Sequence, residues 1–196
     1  MKEPAHTGRR AREDGELALI VEQVQQGHVQ AYSTIIEHFQ RPIYLYCYYL
    51  LGSREEAEDA AQDIFLKAME HIGGFRQTVS FSAWLYRIAR NHCTDLLKKR
   101  SKGFRLFAMY RQQAETAGSG PALTDKVHEL LALLTAEERQ ILLLRALEDY
   151  NFEQIAVVVG MNPARVRKKY ERLRDKLGRQ KRKGEIRLGE PHSDRG

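Results

Sequence analysis

The chain is 196 residues long, with 42% hydrophobic and 30% charged residues, the profile of a folded soluble protein of one ordinary domain or two small ones and not of a disordered tail. Lys and Arg number 32 against 26 Asp and Glu, a net charge of +6, so the natural partner is polyanionic, with nucleic acid first. No apolar run approaches the roughly 18 residues a membrane-spanning helix needs, and the opening MKEPAHTGRRARED has no apolar core for a signal peptide, so a cytoplasmic protein is expected.

Nearly every patterned segment has helical periodicity, which predicts an all-α fold of two small helical domains. Composition divides the chain into a flexible N-terminal arm (1–15), a first helical block (16–104), a flexible linker (105–124), a second block (125–181) and a polar tail (182–196). The stretch QQAETAGSGPALT marks the boundary, because clustered Gly, Ser, Thr and Pro bury too little surface to offset ordering.

In the first block Leu17, Ile20, Val21 and Val24 form one stripe that stops before Gly27, a helix-ending glycine. Tyr32, Ile35, Ile36 and Phe39 resume the pattern, which Pro42 is expected to break or kink before a tyrosine-rich helix runs on to Leu51. Ser53 with Glu56 makes a capping box, and Ala57, Ala60, Ala61, Ile64, Phe65, Ala68 and Met69 then repeat at three- and four-residue steps. A fourth helix buries Trp84, Leu85, Ile88, Ala89, Cys93, Leu96 and Leu97. Cys47 and Cys93, the only cysteines, lie far apart within apolar patterns, so they read as buried thiols and not as a disulfide or CxxC site.

Two faces of this block carry segregated charge. Opposite the stripe of the third helix lie Glu55, Glu58, Asp59, Gln62 and Asp63, either a solvated face favoured by the helix dipole or a docking face for a basic partner. On the fourth helix Arg87, Arg90, Asn91, Thr94, Lys98, Lys99 and Arg100 point away from Trp84, a face that suits phosphate or solvent equally. Phe75 and Phe81 in the preceding loop could stack on an unpaired base or plug the core.

The second block is sharper. Thr135 with Glu138 caps a helix carrying Ile141, Leu142, Leu143, Leu144 and Leu147, and Asn151 opens a short helix with Ile155, Ala156 and Val159 that ends at Gly160. Asn162 as N-cap and Pro163 at the first position start another helix at once, the layout of a helix-turn-helix. Its second helix buries Val166, Tyr170, Leu173 and Leu177, leaving Arg165, Arg167, Lys168, Lys169, Arg172, Arg174 and Lys176 outward. N-terminal residues of such a helix enter the major groove, which nominates Pro163, Ala164, Arg165, Arg167 and Lys168, with Arg suited to guanine and Lys to phosphate.

Enzyme signatures are missing: there is no GxxxxGK[ST], HExxH or GxSxG. His28, His38, His71, His92 and His128 are scattered singly, so no catalytic residue, cofactor or metal is expected.

The strings EEAEDAAQDIFLKA, FSAWLYRIARNHCTDLLKK and LTAEERQILLLRALEDYNFEQIAVVVGMNPARVRKKYERLRDKL resemble regions two and four of bacterial RNA polymerase sigma factors of the extracytoplasmic-function type, over roughly Leu17 to Leu177. The resemblance implies a transcription initiation factor in which Glu58, Asp59, Gln62 and Asp63 dock on core RNA polymerase. It implies that the loop from Gly73 to Phe81, including Phe75 and Phe81, opens the minus-ten promoter element together with Arg87, Asn91, Thr94 and Lys98. Region four, through its helix-turn-helix, would read the minus-thirty-five element. It further implies an anti-sigma factor as partner, often membrane-anchored, with no insertion of this chain itself. Where relatives commonly carry a small residue and Thr before the Val of the recognition helix, this chain has Ala164 and Arg165, so the promoter sequence does not carry over. A stand-alone helix-turn-helix regulator is the alternative; it would leave the acidic strip without a purpose.

Overall fold

The computed structural model describes the backbone of residues 5–108, 127 and 130–187, with side chains described over 15–100, 127 and 130–180. Among these residues every regular element is helical: α1 (Ala5–Gln25), α2 (Tyr32–Leu51), α3 (Arg54–His71), α4 (Phe81–Ala108), α5 (Ala136–Leu147), α6 (Phe152–Val159) and α7 (Pro163–Arg187), with short 3-10 turns at Val29–Ala31 and Ile72–Gly74. The expected all-α fold with a helix-turn-helix is what forms.

The first four helices enclose one core. Leu17, Val21 and Val24 of α1 are buried, and Gly27 turns the chain with φ +97° while the His28 amide donates to the Gln23 carbonyl at 3.0 Å. Only the left-handed backbone that glycine tolerates allows this stop. Pro42 neither breaks nor ends α2. A proline inside a helix costs about 3 kcal/mol; Phe39, Ile43, Tyr46, Cys47 and Leu50 form one buried face on both sides of it, and burying each large side chain returns about 1.5–3 kcal/mol. Alanines 57, 60, 61 and 68 on the buried face of α3 let its backbone approach α2 closely. Ser53 Oγ accepts the Glu56 amide at 3.3 Å, but the Glu56 carboxylate lies 3.8 Å from Arg100, so the expected capping box is half made.

Three boundaries differ from expectation. The arm placed at 1–15 is helical from Ala5 onward, because after Pro4 the run is rich in Ala, Arg and Glu and its two glycines, at about 1 kcal/mol each, are too few to stop it. At the other end α7 continues through 182–187 to Arg187, where Lys and Arg suit the negative end of the helix dipole. Residues 105–108 of the expected linker belong to α4, and the remainder of that linker lies outside the described residues.

Cys47 and Cys93 are both buried and free, as expected, yet α2 and α4 bring their sulfurs to 3.6 Å. The adjoining Cys93 thiol, then burial, push the Cys47 thiol far up, which leaves it a packing group and not a nucleophile.

The second helical group packs around Ile141, Leu144, Ile155, Val158, Val166 and Leu173, all fully buried. It does not stand apart from the first: α6 lies against α4 and α5 against α2.

Candidate functional site

Three surfaces carry the polar residues that the fold leaves available. The first is the ridge of α3. Burial of Ala57, Ala60, Ala61, Ile64 and Phe65 turns the intervening positions outward, and Glu58, Asp59, Gln62 and Asp63 are all exposed, joined by Leu66, an apolar side chain 64% exposed. Beyond the ridge, α3 and α4 frame a groove lined by Asp59, Asp63, His92, Leu96, Leu97 and Arg100. His92 connects its two walls: Nε2 is 3.5 Å from Asp63, and Lys67 Nζ donates to Nδ1 at 2.5 Å. Burial first, and the Lys67 charge second, lower the His92 pKa below its ordinary value, which favours the neutral ring beside Asp63.

The second surface is α4. Ser80 starts it, its Oγ accepting the Ala83 amide at 3.3 Å. Arg87, Asn91 and Lys98 are exposed, with Asn91 accepting from Arg90 at 3.1 Å and Lys98 3.5 Å from Asp95. Thr94 is half-buried, and its hydroxyl accepts from Gln140 Nε2 at 3.0 Å. Phe75 and Phe81 are placed differently from the loop expected to meet a base. They are only 6% and 5% exposed and pack on Trp84, each at 5.3 Å between centroids. The loop is held down by Gln25, whose Nε2 donates to the carbonyls of Ile72 (2.7 Å) and Phe75 (3.0 Å). In this conformation the two rings are core side chains that shape the loop, because an aromatic surface this large gains more from the core than from water.

The third surface is the helix-turn-helix of α6 and α7. Reciprocal capping boxes fix its frame: Thr135 with Glu138 on α5 and Asn151 with Gln154 on α6. The Thr135 amide holds the Glu138 carboxyl below the usual range, helped by Lys176 and Lys169. Gly160 ends α6 at φ +66°, donating its amide to the Ala156 carbonyl. Asn162 then caps α7, its Oδ1 accepting the Ala164 amide at 2.9 Å and its carbonyl the amides of Arg165 and Val166 at 3.0 and 3.1 Å.

Because Val166 and Leu173 are fully buried, Ala164, Arg165, Arg167 and Lys168 face outward, with Pro163 half-buried beside them. Arg167 lies over the Phe152 ring at 5.4 Å, so part of its cation is engaged by the motif itself. Lys169 and Lys176 pair with Glu137 (2.6 Å) and Glu138 (3.7 Å) of α5; these two basic residues hold α7 to its scaffold.

The structure therefore groups the acidic residues on one exposed ridge and the basic residues of α7 on another, and it separates Phe75 and Phe81 from both. Sequence reasoning missed Lys67 and His92 beside Asp63, and Gln140, Glu148 and Tyr150 where the two helical groups meet. Gln140 had a readable signal: it stands four residues before Leu144, on the apolar stripe of α5, where an amide must find a partner.

The family model for Sigma-70 region 2 matches residues 35–103, and that for Sigma-70, region 4 matches residues 124–177. The ECF RNA polymerase sigma factor SigW of Bacillus subtilis is 28% identical over 177 residues, covering 83% of this chain and 95% of that protein. The solved structure of CnrH in complex with the cytosolic domain of CnrY matches with a TM-score of 0.66 at 21% identity, over 83% of this chain and 94% of that one. The sigma factor RpoE in complex with the anti-sigma factor NepR from Bartonella quintana matches with a TM-score of 0.64 at 20% identity, over 74% and 93%. At these identities the two structures establish the shared fold.

Proposed function

The chain belongs to the sigma-70 family of RNA polymerase sigma factors, in its extracytoplasmic-function group, and from that premise we propose which surface meets each partner. As an alternative sigma factor it directs promoter recognition by RNA polymerase. The ridge of Glu58, Asp59, Gln62 and Asp63 docks on the core enzyme, where its exposed carboxylates match a basic partner and the bare Leu66 gives the contact an apolar centre. Arg87, Asn91, Thr94 and Lys98 of α4 meet the minus-ten element, with Phe75 and Phe81 supporting the loop beside them. Opening DNA there costs a few kcal/mol of unstacking, which backbone contacts must offset.

Pro163, Ala164, Arg165, Arg167 and Lys168 read the minus-thirty-five element in the major groove. Arg165 is the base reader of choice, because it is exposed at the first turn of α7, whereas Arg167 is drawn onto Phe152. We keep 16–104 and 125–181 as the functional units, with α1, α4 and α7 running past those limits, and the bond-making chemistry is left to the polymerase. The protein acts where the polymerase acts, in the cytoplasm; among the described residues no helix is long and apolar enough to cross a membrane. An anti-sigma protein is its counterpart off the polymerase, as NepR is for RpoE of Bartonella quintana.

The observation that carries this reading is the presence on one chain of an exposed acidic ridge and, in the order of regions 2 and 4, a capped recognition helix with Arg165 and Lys168 outward. Run-off transcription with purified core polymerase tests it: discrete promoter-dependent transcripts are expected only when the chain is added. Tight, selective binding of duplex DNA by the chain alone, without any transcript in the presence of core, would favour a self-sufficient regulator instead.

A further inference from the structure

The positive charge of the chain is concentrated in one helix. The 25 residues of α7 carry 12 Lys and Arg against three Asp and Glu, a balance of +9, while the whole chain is +6. Everything outside α7 is therefore net negative, at −3. The helix is also longer than its packing requires. Leu177 is the last of its described side chains to join the apolar core, and the match to Sigma-70, region 4 stops at the same residue, yet α7 runs on through 178–187. That extension reads GRQKRKGEIR, with five basic residues, one acid, one large apolar residue and two glycines, each glycine costing about 1 kcal/mol in a helix. The helix dipole favours cations in the last turn only, which accounts for Arg187 and not for Arg179.

The extension continues the side of α7 that presents Arg165. At about 100° per residue, Lys168, Arg172 and Arg179 all lie within about 60° of Arg165 around the helix axis, and all four cations are exposed. Glu171 and Asp175 stand farther round, at about 120° and 80° by the same repeat. Among the described residues Lys169 and Lys176 are tied to α5 and Arg167 lies over Phe152, whereas Arg165, Lys168, Arg172 and Arg179 enter no ion pair.

Geometry decides what such a side meets. Arg165 and Arg179 are separated by about 21 Å along the axis at 1.5 Å per residue, and the major groove is about 12 Å wide. If α7 crosses the groove, it leaves the base edges after its first turns and passes over a phosphate strand. If it follows the groove, phosphates flank it on both sides. Either course sets Arg179 against the DNA backbone and not against bases.

We propose that the C-terminal extension of α7, led by Arg179 and continued by Lys181, Arg182 and Lys183, is a second DNA contact: a sequence-independent grip on the phosphate backbone of duplex flanking the minus-thirty-five element. This rests on the assignment of Arg165 and Lys168 to that element made above. The first turns of the helix then select the sequence, and the extension supplies affinity that any sequence can satisfy.

The test uses the full-length chain carrying Arg179→Ala, Lys181→Ala, Arg182→Ala and Lys183→Ala, changes that keep a strong helix former at every position and leave Arg165 and Lys168 in place. Wild type and variant are titrated by fluorescence anisotropy against a labelled 30-base-pair duplex of mixed sequence between 50 and 200 mM KCl. At about 0.9 per phosphate contact, the slope of log affinity against log salt should be shallower in the variant by about 2–4, so that over this range wild type loses about 15- to 150-fold more affinity than the variant. Equal slopes overturn the grip, and a loss confined to a 30-nucleotide single-stranded RNA probe overturns duplex DNA as its ligand. Run-off transcription with core polymerase is measured in parallel: a silent wild type would sink the functional reading, while the slopes would still decide whether the extension holds duplex phosphates. Should the fourfold variant lose helical circular dichroism, Arg179→Ala alone is taken through the same titration, where a slope lower by about one supports the contact and an unchanged slope overturns it.

Discussion

Reversing the charge of the α3 ridge, with Asp59→Lys and Asp63→Lys together, should detach the chain from core polymerase without unfolding it. Both carboxylates are exposed, and the neighbour of Asp63 is His92 at 3.5 Å. Two unit charges 4 Å apart attract by about 1 kcal/mol in bulk water and about 4 kcal/mol at the effective dielectric of a protein surface. Exposed pairs retain only about 0.2–1 kcal/mol after desolvation and side-chain ordering. Reversal removes that gain and adds repulsion of similar size, so each substitution should cost about 0.4–2 kcal/mol and the pair about 0.8–4 kcal/mol, a loss of roughly 4- to 1000-fold in affinity. Fluorescence anisotropy of labelled chain titrated with core enzyme reads this directly. The gap should narrow as salt is raised from 0.1 to 0.5 M, because the Debye length is already about 10 Å at 0.1 M. Thermal unfolding of the free variant should stay within about 1 kcal/mol of wild type. An affinity within twofold of wild type at low salt, with the fold intact, would refute the ridge as the docking face.

The remaining expectations concern the recognition helix and the α3–α4 groove. Arg165→Ala should relax base preference at one position of the minus-thirty-five element at a cost of about 1–3 kcal/mol, whereas Lys168→Ala should weaken all sequences alike and reduce the salt slope by about one, both measured by gel shift against a randomised element. Asn162→Ala removes the cap seen at 2.9 Å and should cost about 1 kcal/mol of stability, with minus-thirty-five binding falling as the first turn of α7 frays; unchanged melting would contradict the cap. His92 has its folded-state pKa lowered by burial, then Lys67 and Lys99, against the raising influence of Asp63 and Asp95. Its contribution to stability is therefore intact above its ordinary pKa near 6.5 and is lost as pH falls below that value. Urea titrations between pH 7.5 and 5 should show this slope, and His92→Gln should flatten it.

What could be read from the chain beforehand was whatever local chemistry decides. The caps at Thr135, Asn151 and Asn162, the stop at Gly160 and the outward placement of Arg165 and Lys168 follow from short-range patterns, and all are found. The break expected at Pro42 does not occur, because the buried face that spans it outweighs the local steric cost. At Phe75 and Phe81 the resemblance pointed to DNA, whereas in the structure they pack on the nearby Trp84 and the loop is held inward by Gln25, 47 and 50 residues away from the carbonyls it bonds. The contact between the two helical groups was invisible for a related reason. Tyr86 and Glu148 are 62 residues apart and Tyr150 and Ser82 are 68 apart, and no periodicity of one helix announces what another helix will bring.

The turn between α6 and α7 sets an angular phase for everything that follows it. Each residue advances a helix by about 100°, so inserting or deleting one residue between Gly160 and Pro163 would swing the Arg165 side chain by more than a quarter of a circle about the axis that Val166 and Leu173 anchor. Either the apolar pair would stay seated and the reading face would start out of step, or the reverse. The specificity of this surface thus resides as much in the length of a three-residue corner as in any side chain that touches a base.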